Sequence, residues 1–196
     1  MKAILIENKN LVLKDIPDPT LRDGDVLIEV HAAALNRADL LQREGNYPPP
    51  AGAPDWPGLE VAGYIRAVTP AAARRWKKGD RVCALLSGGG YAQFAAAPAG
   101  MVMPAPENLS MEEAACLPEA FATAYLNLFW EGNAKSGETL LMHAGASGLA
   151  SVVIPMAKAF GLRVITSVRN AGKKRAIADL GADVIIDTSR ESVPDI

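Results

Sequence analysis

Between Thr139 and Asp187 the chain alternates short apolar runs with longer amphipathic ones: TLLMHAG, GLASVVIPMAKAFG, RVITSV, AGKKRAIADLG and DVIID. No other feature restricts the fold as strongly. Strand-length runs separated by helices of about ten to fifteen residues cannot close as hairpins, so they predict βαβ crossovers and a parallel sheet. Pro155 falls inside the first crossover helix and predicts a kink there or a short first turn.

Upstream, the runs KAILIE, LVLKDI, DVLIEVHAAAL, LEVAGYIRAV, RVCALLS and YAQFAAAP follow one another without helical spacing, and the turns IPDPTLRDGD and KKGD separate some of them. This half predicts a β-barrel or sandwich. Residues 42–57, QREGNYPPPAGAPDWP, are too rich in Pro and Gly for a helix or a central strand and read as a loop. Past MPAPENLS, Ser110 precedes Glu113 in the spacing of a capping box, and a second apolar helix, EAFATAYLNLFW, follows Pro118. The fold class expected is α/β, with a β-domain over residues 1–118 and a nucleotide-type domain over residues 119–196.

Composition excludes some functions. With 49% apolar residues, 21% charged residues and a net charge of −2, the chain reads as globular and lacks the basic surface of a nucleic-acid binder. The opening MKAILIENKN is too short an apolar run for a secretory signal, and no apolar stretch approaches the ~20 residues that span a bilayer. A cytoplasmic location, no membrane partner and no nucleic-acid partner are expected. The two cysteines, Cys83 and Cys116, read as free buried thiols. Two Cys and two His spread along the chain cannot fill both a catalytic and a structural zinc site, so no metal is expected. His31 and His143 read as core or supporting residues.

The turn after the first parallel strand, Gly145-Ala146-Ser147-Gly148-Leu149-Ala150, matches the dinucleotide pattern G-x-G-x-x-G/A apart from Ser147 at the middle glycine. It follows a predicted strand and opens a predicted helix, where free N–H groups and the helix dipole attract phosphate. At the end of the second strand an NAD-binding protein places an acid on the ribose 2′-hydroxyl. Ser167 and Arg169 stand there instead, with Lys173 shortly after, a set suited to the 2′-phosphate of NADPH.

The stretches AALNRADLLQREGNYPPP, WPGLEVAG, KKGDRVCALLSGGGYAQF, LPEAFATAYLNLF and HAGASG, with RVITSVRN and LGAD behind them, together resemble the zinc-independent quinone oxidoreductases of the medium-chain dehydrogenase/reductase superfamily. The tumour-suppressor-inducible type is the subgroup most similar. The resemblance implies a GroES-like β-barrel domain, a Rossmann domain and NADPH held in the cleft between them. It places Asn36, Tyr47 and Thr123 near the nicotinamide, Gly145 to Ala150 on the pyrophosphate, and Ser167 and Lys173 at the 2′-phosphate. Which of Ser167, Val168 and Arg169 faces that phosphate stays open. Asn36 and Leu59 stand where zinc-using relatives carry a Cys and a His, and Thr188 stands where a Tyr is often found.

Three predicted parallel strands are half of a six-stranded Rossmann sheet, so the sequence reads as a fragment, a truncated product or half of a split enzyme. The first strand is expected at an apolar sheet edge. The resemblance implies a homodimer in full-length relatives, usually formed through a strand that these residues do not contain. The expected activity is NADPH-dependent reduction of a quinone-type acceptor without metal, with Tyr47 as a candidate proton source. Reduction of an activated carbon–carbon double bond and a non-catalytic binding or regulatory role are the alternatives.

Overall fold

A computed structural model describes residues 1–191. The last five positions of the expected second domain, 192–196, lie outside the described residues. The chain divides into two compact units, Met1–Glu119 and Ala120–Ile196.

The first unit is built on antiparallel strands. β1 (Lys2–Glu7) and β2 (Asn10–Asp15) form a hairpin whose two-residue turn puts Asn8 and Lys9 at φ 49 and 63. Positive φ at both central residues is the turn geometry whose twist matches that of paired strands. A five-stranded sheet in the order β6-β3-β4-β5-β7 follows, from β3 (Asp25–Ala33), β4 (Glu60–Val68), β5 (Arg81–Leu85), β6 (Phe94–Pro98) and β7 (Val102–Pro104). Val26, Ile28, Val61, Ile65, Val82, Ala97 and Val102 alternate inward along these strands and bury the core with Trp76. Gly63 is required in β4 because an added Cβ would lie 2.0 Å from the Glu29 carbonyl oxygen on β3.

Two helices close this unit. α1 (Arg37–Glu44) overlaps the start of the segment read as loop, so the helical part of residues 42–57 was not expected. Its first turn is anchored from far along the chain: the Asp39 carboxylate accepts the N–H groups of Asn36 and Gly58 and the Tyr91 hydroxyl. α2 (Met111–Ala115) begins in the expected capping box, with Ser110 Oγ accepting the Glu113 N–H at 3.2 Å and Glu113 Oε2 accepting the Ser110 N–H at 2.8 Å. Cys83 is buried as expected, whereas Cys116 is exposed, since it is the C-cap just past the end of α2 rather than one of the helix's buried residues Met111, Ala114 and Ala115.

The second unit is the expected βαβ structure. β8 (Thr139–Met142), β9 (Arg163–Val168) and β10 (Val184–Asp187) pair in parallel in the order β10-β9-β8, the 3-2-1 half of a doubly wound sheet. α3 (Ala120–Tyr125) passes into a π-helical stretch, Leu126–Glu131, where the sequence predicts one continuous α-helix. α4 (Ala150–Ala159) runs through Pro155, and α5 (Lys174–Asp179) links β9 to β10. Ala150, Val153, Ile154 and Ala157 of α4 pack with Val164 and Val168 of β9 and Ile177 of α5. Among the described residues β8 is an edge strand, and Leu141 on it is exposed.

Candidate functional site

The turn between β8 and α4 is held in place from β9. The Gly145 N–H donates to the Ser167 carbonyl at 2.8 Å, and a Cβ on Gly145 would lie 2.3 Å from Thr166 Oγ1. Only glycine lets the chain pass this close to the neighbouring strand. Ser147 takes over the role of a helix cap: its Oγ accepts the Ala150 N–H at 3.1 Å, which leaves the hydroxyl proton to donate elsewhere. Ala144 sits at φ 57, a conformation unusual for a residue with a side chain. The N–H groups of Ala146, Gly148 and Leu149 donate to no acceptor among the described residues, as expected of a helix start built to receive an anion.

This turn forms one wall of a cavity of about 600 Å³ lined by His143, Ala144, Ala146, Ser147, Ser167, Val168, Arg169, Asn170, Lys173 and Thr188. The volume lies within the range of small-molecule sites. Two basic side chains, Arg169 and Lys173, line it, and among the described residues no carboxylate does. Ser167 is buried, and its Oγ lies 3.1 Å from Nδ1 of the exposed His143. The Asn170 side chain turns the backbone after β9 by accepting the Gly172 N–H. Donors, cations and volume all fit the phosphate-bearing end of a nucleotide.

The candidates thus divide by place. Ala146 and Ser147 share the cavity with Ser167, Arg169 and Lys173; Gly145, Gly148, Leu149 and Ala150 belong to the turn that shapes it. Thr123 is half-buried on α3 in the same unit, with its carbonyl accepting the Asn127 side-chain amide at 2.8 Å. Asn36 and Tyr47 belong to the first unit. Tyr47 is 42% exposed, and its phenol has no hydrogen-bond partner among the described residues.

Asn36 is part of a buried polar group that the sequence reading did not single out. Its Nδ2 donates to Glu60 Oε1 at 2.9 Å, and Glu60 Oε2 accepts the Glu119 N–H at 2.8 Å. Glu60 is 2% exposed, and burial raises its carboxyl above the ordinary range against the opposing effect of these two donors. Burial also pushes the Tyr91 phenol upward, reinforced by the Asp39 carboxylate to which it donates at 2.7 Å. Among the described residues no cation bonds to Glu60 or Asp39; neutral donors carry both. The available signal was a charged residue at the head of the apolar run EVAGYIRAV. Among the described residues no three His, Cys, Asp or Glu side chains are grouped so as to hold a metal ion, and no helix is long and apolar enough to cross a membrane.

Residues 22–107 match the family described as "Alcohol dehydrogenase GroES-like domain". Quinone oxidoreductase of mouse is 33% identical over 174 residues, covering 88% of this chain and 52% of that protein. Over most of its length the chain is similar to quinone oxidoreductases of the medium-chain dehydrogenase/reductase superfamily. A second relative, 2-methylene-furan-3-one reductase of tomato, is 35% identical over 189 residues, covering 91% of this chain and 48% of that protein. The quinone oxidoreductase of Thermus thermophilus, solved alone and in complex with NADPH, superposes with a TM-score of 0.78 at 35% identity, covering 96% of this chain and 60% of that one. The chain spans about half the length of the curated relatives it matches.

Proposed function

We propose that this chain binds NADPH through its second unit and belongs to an oxidoreductase that passes hydride to a quinone-type acceptor. The observation that carries this reading is the cavity beside the Gly145–Ala150 turn, lined by Ala146 with its unpaired N–H, Ser147, Arg169 and Lys173 and by no carboxylate among the described residues. When bound, NADPH supplies the hydride. The turn's N–H groups and the Ser147 hydroxyl hold the pyrophosphate, and the cations around Ser167 favour a 2′-phosphate over a 2′-hydroxyl. Asn36, held by Glu60 through Nδ2, is assigned to the nicotinamide end. Tyr47, exposed and with no hydrogen-bond partner for its phenol among the described residues, is assigned as proton donor to the reduced acceptor, and Thr123 as a further contact on the nicotinamide side.

Relatives bound to NADPH and named quinone oxidoreductases support this reading. A second reading, reduction of an activated carbon–carbon double bond, is favoured by the likeness to the tomato furanone reductase. Titration with NADPH and NADH tests the cofactor: NADPH is expected to bind at least about tenfold more tightly, and equal affinities refute the assignment. Turnover with a quinone and with an enone, measured side by side, decides between the two acceptors.

A further inference from the structure

We infer that His143 is a phosphate-binding residue of the cavity, with its Nε2–H directed to the 2′-phosphate of the nucleotide, and that Ser167 is the positioning residue that keeps the proton on that nitrogen. The inference rests on the NADPH reading above and departs from it at Ser167, which then acts through His143.

The parallel register sets the pair: Met142 is opposite Thr166, so the next step along each strand places His143 beside Ser167. The Ser167 side chain is only 5% exposed, and Nδ1 of His143, at 3.1 Å, is the one hydrogen-bond partner of its hydroxyl among the described residues. A buried hydroxyl that kept its proton unplaced would carry the cost of an unsatisfied donor, on the order of 1–3 kcal/mol. Donation from Ser167 to Nδ1 avoids that cost and leaves a neutral imidazole with its proton on Nε2. In the imidazolium, Nδ1–H donates to Ser167 and Nε2–H is again present. Both favoured states therefore offer a donor at Nε2, on an exposed ring that lines the cavity.

The charged groups facing this ring are cationic. Arg169 and Lys173, from the segment after β9, line the same cavity; the Ala144–Ser147 turn contributes no ionisable group, and Thr188 beyond β10 is neutral. Asp187, at the end of β10, is buried, does not line the cavity, and has Oδ1 occupied by the Ser189 hydroxyl at 2.7 Å. Among the described residues no carboxylate there competes with a phosphate for the imidazole, and two neighbouring cations make an anion the fitting occupant.

Adenosine 2′,5′-bisphosphate and AMP, titrated calorimetrically against the whole chain, separate the two phosphates. The wild-type chain is expected to prefer the bisphosphate; no preference would remove the NADPH reading and this inference with it. Given that preference, His143→Phe should weaken the bisphosphate by about tenfold and leave AMP unchanged, while His143→Gln, which keeps a donor near the Nε2 position, should stay within about threefold of wild type. Ser167→Ala should weaken the bisphosphate in the wild-type background, leave AMP unchanged, and add no further loss in the His143→Phe background; a full additional loss there overturns the positioning role. An unchanged bisphosphate affinity in His143→Phe, an equal loss for AMP, or a loss shared in full by His143→Gln overturns the inference while leaving the cofactor reading in place.

Discussion

Replacing Gly145 by Ala tests the account of the nucleotide turn through its packing. The added Cβ would meet Thr166 Oγ1 at 2.3 Å and Thr166 Cγ2 at 2.8 Å, well inside van der Waals contact. Thr166 has no room to retreat, since it is fully buried and its Oγ1 donates to the Met142 carbonyl at 2.7 Å. Relief requires either rotating Thr166, which breaks a buried hydrogen bond at about 1–3 kcal/mol, or parting β8 from β9, an overpacking strain of similar size. Gly145→Ala should therefore destabilise the second unit by about 2–4 kcal/mol. With two units, a single melting curve does not isolate the effect. Amide exchange of β8 and β9 does, and it should show faster opening there with the β3–β4 amides unchanged. Thr166→Ala in the same chain removes both clashing atoms, so the double variant should lose less than the sum of the singles by about 1 kcal/mol or more. A destabilisation of Gly145→Ala below about 0.5 kcal/mol, or strict additivity with Thr166→Ala, would refute the reasoning.

Arg81 reaches the carbonyls of Ala105, Pro106 and Leu109 and ties down the segment that leads into α2; Arg81→Ala should cost about 2 kcal/mol and speed amide exchange over Leu109 to Cys116. The Tyr91 phenol is raised above its ordinary value near 10, so its contribution to the first unit is complete below that pH and is lost as pH rises beyond it. Tyr91→Phe should remove that alkaline slope in a pH series of denaturant midpoints and cost about 2 kcal/mol at neutral pH, because Asp39 loses one of its donors. Glu60 is raised in the same direction, so its carboxyl favours folding below its ordinary range and loses that contribution as pH rises through the raised value; Glu60→Gln should flatten this slope. Lys9→Gly should stabilise the β1–β2 hairpin by about 0.5 kcal/mol, read as slower exchange of the β1 amides, since glycine adopts φ 63 without strain.

Much of the fold was legible because its determinants are local. Strand and helix periodicity located every strand but the three-residue β7, and the Ser110–Glu113 spacing located the start of α2 within a residue. α1 was not legible. Its residues follow an apolar run that continues β3, and what holds its first turn comes from Gly58 and Tyr91, 19 and 52 residues away from Asp39. The π-helical turn at Leu126–Glu131 likewise carries no residue that marks it in the sequence.

The site divides in the same way. By itself the sequence determined the alternation of elements, the glycine turn and the cations Arg169 and Lys173, because backbone hydrogen bonding and side-chain periodicity act over a few residues. The tertiary structure alone decided that His143 faces Ser167, that Gly145 admits no Cβ because Thr166 stands behind it, and that Glu60 holds Asn36 inside a buried cluster. Each of these depends on strand register or on burial, which join residues 21 to 24 positions apart through contacts that no local pattern encodes.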